Sequence, residues 1–93
     1  MSSMHLLISG RVQGVGYRAT FAQLAVRLGL HGWVRNRQDG SVEACVQGSI
    51  EAIDAVVDWA KRGPPAARVH DVIVTPAQDA AEDFSSFRIL PTL

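Results

Sequence analysis

The chain has one cysteine, Cys45, so no internal disulfide can form and packing alone must hold the fold. It has no surplus of either charge: nine Lys and Arg offset nine Asp and Glu. A general binder of nucleic acid or of membrane surfaces needs a basic excess, so both classes are disfavoured and any anion site must be local. No apolar run is long enough to cross a bilayer, and no charged start leads into a long apolar stretch. The expected location is the cytosol. At 93 residues the chain suits one domain, residues 1–93, with nothing in it that demands more than a monomer. A chain this short buries roughly 60–70% of the surface that its unfolded form exposes. That suffices for one core and a shallow site, not for a deep cofactor cavity. A hydrophobic content of 47% makes the core feasible.

What is present is periodic. Residues 5–12 alternate, with Leu6, Ile8, Gly10 and Val12 on one face, which predicts a half-buried strand. From about Arg18 the period lengthens. Phe21, Leu24, Ala25 and Leu28 form a helical stripe that Gly29 closes. Residues 32–37 and 41–47 read as strands joined by the turn Gln38-Asp39-Gly40. Ser49 is placed to cap a second helix. Its buried stripe is expected to be Ile50, Ile53, Val57 and Ala60, with Glu51 at the positive end and Lys61 and Arg62 at the negative end. Gly63-Pro64-Pro65 stops that helix, and residues 67–75 and 84–90 read as strands around an acidic loop at 77–83. The order β-α-β-β-α-β with a final strand predicts a two-layer α+β sandwich of the split-βαβ, ferredoxin-like type. In that topology the loop after the first strand, the start of the first helix and Asn36 share one rim.

The loop Gln13-Gly14-Val15-Gly16-Tyr17-Arg18 joins a strand to a helix start. Glycines at alternate positions permit positive φ, so backbone N–H groups can converge on an anion, aided by the helix start. Arg18 is placed to grip two phosphate oxygens. The same pattern reads equally as a tight turn with Arg18 in solvent. No Walker Gly-Lys-Ser/Thr is present. Val12 and Arg18 have the spacing of cysteine phosphatases, but valine cannot attack phosphorus, so a phosphate held here would need water as its nucleophile. The match of residues 14–19 to G-x-G-x-x-A is discounted, because Asp39 lies in a hairpin turn and the chain is too short for the two halves of a dinucleotide fold.

The run from Val12 to Arg18, Gly32-Trp33-Val34-Arg35-Asn36, the hairpin Asp39-Gly40-Ser41-Val42-Glu43, the stop at residues 63–65 and the late Phe87-Arg88-Ile89 together resemble the acylphosphatase family through nearly the whole chain. The resemblance implies a sheet of five antiparallel strands with two helices on one face. It implies that the amides of Gln13, Gly14, Val15, Gly16, Tyr17 and Arg18 bind the phosphoryl group, with the guanidinium of Arg18. It implies that Asn36 orients an attacking water. No metal or cofactor is used, and a substrate phosphate oxygen takes the water's proton. The partners implied are a small acyl phosphate and inorganic phosphate, with no nucleic acid and no membrane. The chemistry is consistent, since an acyl phosphate already has a good carboxylate leaving group. Asn36 is no base and can only orient water. Tyr17 departs from the family, which often has Phe there, and its ring is expected to pack in the same way.

Other polar residues have plainer readings. His5, His31 and His70 lack metal-ligand spacing and are assigned surface or structural roles. Cys45 reads as a structural thiol, and Trp33 and Trp59 as packing residues. Arg11, Arg35, Arg37 and Arg68 are expected on a solvated sheet face, and Asp79, Glu82 and Asp83 in a solvated loop. Two other functions fit this sequence less well. An RNA-binding module on this fold needs exposed aromatics on the central strands, and the third strand has none. A carbamoyl-phosphate-handling segment, as in hydrogenase-maturation carbamoyltransferases, belongs to a much longer chain, whereas this one stands alone.

Overall fold

Alternation and helical stripes become two packed layers in the computed structural model, which describes residues 2–77 and 85–93. The elements are β1 (Ser2–Arg11), α1 (Tyr17–Arg27), β2 (His31–Asn36), β3 (Val42–Gly48), α2 (Ile50–Arg62), β4 (Arg68–Pro76) and β5 (Phe87–Ile89). The sheet order is β4-β1-β3-β2-β5. β3 lies antiparallel between β1 and β2, so β1 and β2 run the same way. Their C-terminal ends, and the start of α1, therefore meet at one rim.

The sheet is not wholly antiparallel, as the family resemblance implied. β5 pairs parallel to β2, with Val34 opposite Ile89. β4 is antiparallel to β1, which runs the same way as β2, so β5 also runs opposite to β4. The expected strand at 84–90 is shorter than predicted, and Phe84, Asp79, Glu82 and Asp83 lie outside the described residues.

The core lies between the sheet and the helices. Leu6, Ile8, Val34, Val42, Ala44 and Val46 supply the sheet side, and Tyr17, Phe21, Ala25, Ile53, Val56 and Ala60 the helix side. The stripe expected on α2 is displaced: Ala52 and Val56 are buried, whereas Ile50 is 48% exposed. At 3.6 residues per turn, Ile50 stands about 100° round the helix from the middle of the face that Ala52, Ile53, Val56 and Ala60 bury. Trp59 packs as expected, with ring centroids 5.1 Å from Tyr17 and 6.0 Å from Phe21.

Candidate active site

The turn from β1 into α1 depends on two glycines. Gly14 and Gly16 have φ of 73° and 80°, in the left-handed region that side-chain-bearing residues avoid. Gly16 is the N-cap of α1 and offers no side chain to the first N–H groups, and no acidic residue stands in the first turn. Those N–H groups and the positive end of the helix dipole are left for an external acceptor. Arg18 is partly exposed, and no carboxylate pairs with it among the described residues.

The loop lines a pocket of ≈ 190 Å³ together with Val12, Ala19, Asn36 and Ile89. Gln13, Gly14, Gly16, Tyr17 and Arg18 all contribute to its wall; Val15 does not, and its side chain packs against the core instead. The Gln13 side chain faces another task. Its Nε2 donates to the carbonyls of Arg37 at 2.7 Å and Ser41 at 2.9 Å, which ties the loop to the β2–β3 hairpin. Asn36 is thereby held next to the loop. Its own carbonyl accepts from Leu93 N–H at 3.1 Å, and Arg37 N–H donates to Ser41 O at 2.9 Å. Within this tight frame Asn36 Oδ1 is buried and meets no donor among the described residues. A buried acceptor left unpaired costs free energy, so its retention needs a reason. A water bound in the pocket can donate to it and turn a lone pair elsewhere.

The neighbours of Asn36 point to the opposite face of the sheet, where they are not free in solvent as expected. Arg35 Nε and Arg37 Nη1 donate to Glu43 Oε1 at 2.8 and 3.2 Å, and His5 Nε2 lies 2.7 Å from Glu43 Oε2. Glu43 is only 8% exposed. Burial pushes its carboxyl up, but the hydrogen bonds from His5, Arg35 and Arg37, with the Arg35 charge, outweigh this and hold it below the usual range. Arg37 is therefore neutralised on the back of the sheet. Trp33 also lies on this face, outside the core, beneath Arg35 at 4.6 Å and edge-on to His5. A single indole beside a buried carboxylate makes a poor platform for RNA.

Tyr17 packs as the resemblance implied and adds one bond. Its hydroxyl donates to Ala60 O at 2.7 Å. Four residues after Ala60 stands Pro64, which has no N–H, so the helix itself cannot satisfy that carbonyl. Burial pushes the phenol well above its ordinary pKa, so it stays a donor. Gly63 leaves room for the ring, since a Cβ there would stand 3.0 Å from Tyr17.

Ala19, Ile89 and Glu43 were missed from sequence. Ala19 follows Arg18 and could have been found by helical geometry. Ile89 enters only because β5 lies beside β2, and Glu43 only because three strands bring its partners together.

The fold and this rim define a ferredoxin-like sandwich with a glycine turn, an open helix start and an asparagine facing them. A family model described as Acylphosphatase matches residues 4–89, and the chain belongs to the acylphosphatase family. It is 50% identical to an acylphosphatase of Cupriavidus pinatubonensis over 93 residues, all of both chains. The crystal structure of acylphosphatase from Bacillus subtilis superposes with a TM-score of 0.91 at 37% identity, covering 97% of this chain and 99% of that one. Full-length HypF in its phosphate- and nucleotide-bound form gives a TM-score of 0.87 at 26% identity, covering 98% of this chain but 12% of that one.

Proposed function

We propose that this protein hydrolyses acyl phosphates to a carboxylate and inorganic phosphate by direct attack of water. The loop amides of residues 13–18 and the Arg18 guanidinium bind the phosphoryl oxygens and stabilise their charge in the transition state. Asn36 Oδ1 accepts a hydrogen bond from the attacking water and aims its oxygen at phosphorus. The bond from phosphorus to the acyl oxygen breaks, the carboxylate leaves, and the water's proton passes to a phosphoryl oxygen. No metal or cofactor takes part. The observation that carries this reading is the unpaired Asn36 Oδ1 in the same pocket as the uncapped start of α1. The family match adds the substrate class. A chain with one cysteine needs no oxidising compartment, and the working form is taken to be a cytosolic monomer.

The alternative of a carbamoyl-phosphate-handling segment draws on the likeness to HypF. It is less favoured, because that likeness covers a small part of HypF while the Cupriavidus relative matches over its full length. Hydrolysis of benzoyl phosphate with EDTA present, run beside an alkyl phosphate monoester, tests the reading. The anhydride should be cleaved and the ester left intact, since positioning and charge alone cannot expel an alkoxide. Intact benzoyl phosphate, or activity that EDTA removes, would refute it.

A further inference from the structure

The phosphate pocket continues into a second, larger groove of ≈ 490 Å³, lined by Ala19, Ala22, Gln23, Val26, Arg27 and Ile89. Ala19 and Ile89 line both. Ala19, Ala22, Gln23 and Val26 follow at i, i+3, i+4 and i+7, so they form one face of α1. Seven residues of helix carry that face about 10 Å from the loop. The two alanines leave a depression between larger apolar groups. Val26 is 63% exposed and Ile89 47% exposed, which leaves the depression with apolar sides. Phe21 and Ala25, on the other face of α1, already fill the core, so Val26 is not needed there.

We propose that this groove binds the acyl part of the substrate, and that the enzyme prefers acyl phosphates with an apolar body of several carbons over acetyl phosphate. The inference rests on the phosphate reading above. With the phosphoryl group held by the loop, the acyl group must lie outside the small polar pocket. The groove is continuous with that pocket through Ala19 and Ile89, and its length along α1 is ample for a chain of six carbons. Contacts there are the same in ground and transition states, so they lower KM rather than raise kcat.

Kinetics on acetyl, butanoyl and hexanoyl phosphates test this. These carboxylates are nearly equal leaving groups, so the chemical step is held constant. Half-burying each of the four added methylenes gives about a twofold gain, so kcat/KM should rise about 15-fold from acetyl to hexanoyl, through KM. Val26→Gln changes an exposed residue and should cut that rise to about threefold, with inhibition by inorganic phosphate unchanged. A flat series in the wild type overturns the inference, as does the same slope in Val26→Gln. If the wild type cleaves none of the three, the phosphate reading fails first and this one with it.

Discussion

The two helices start in opposite ways. At α2, Ser49 Oγ accepts the Ala52 N–H at 3.2 Å and Glu51 stands in the first turn, so the helix start satisfies itself. At α1, Gly16 gives no side chain and no acid follows. A capped start contributes stability, while an uncapped one keeps its donors and dipole for a ligand. The contrast shows that α1 forgoes a local interaction where the chemistry is proposed to happen.

The strongest way to break the contrast is Arg18→Ala. It should lower kcat/KM on benzoyl phosphate by about 100- to 1,000-fold, the usual effect of one preorganised donor. Inhibition by inorganic phosphate should weaken with it, because one group serves both states. Asn36→Ala should lower kcat up to about 100-fold through a misplaced water. Phosphate inhibition should survive, and unchanged kcat would remove Asn36 from the mechanism.

Smaller effects lie in stability. Tyr17→Phe leaves the Ala60 carbonyl buried without a donor and should cost about 1–3 kcal/mol in denaturant unfolding. Ser49→Ala removes the cap of α2 and should cost about 1 kcal/mol, with KM and kcat untouched. A kinetic effect from Ser49→Ala would mean that the two helix starts are not functionally distinct.

The smallest effect depends on pH. The carboxyl of Glu43 is held below its ordinary pKa of 4.5, so its contribution to stability is complete above that value and declines as pH falls below it. Tm of the wild type should therefore fall more steeply than that of Glu43→Gln on acidification below about pH 4.5. Parallel curves would show that the cluster behind Asn36 adds nothing to stability.

Much of this was legible locally. Glycines at positions 14 and 16 announce positive φ between a strand and a helix, and Ser49 with Glu51 announces a helix start. Both depend on residues close in sequence. The stripe of α2 was misread because Ile50 has the right interval to Ile53 and Val57 but stands to one side of the face that Ala52, Ile53, Val56 and Ala60 bury. Arg35 and Arg37 looked solvated because alternation gives a residue's face and not its partner. Glu43, which binds both, is six to eight residues away across a hairpin, and His5 is 38 residues away.

The sequence by itself determined the order of elements, the glycine turn and the family, since each is written in runs of adjacent residues whose conformational limits act locally. Only the tertiary structure decided that β5 runs parallel to β2, that Asn36 keeps an unpaired oxygen beside the loop, and that a groove along α1 opens from the pocket. Those facts depend on which strands become neighbours and on which side chains that brings together, and no local pattern encodes either.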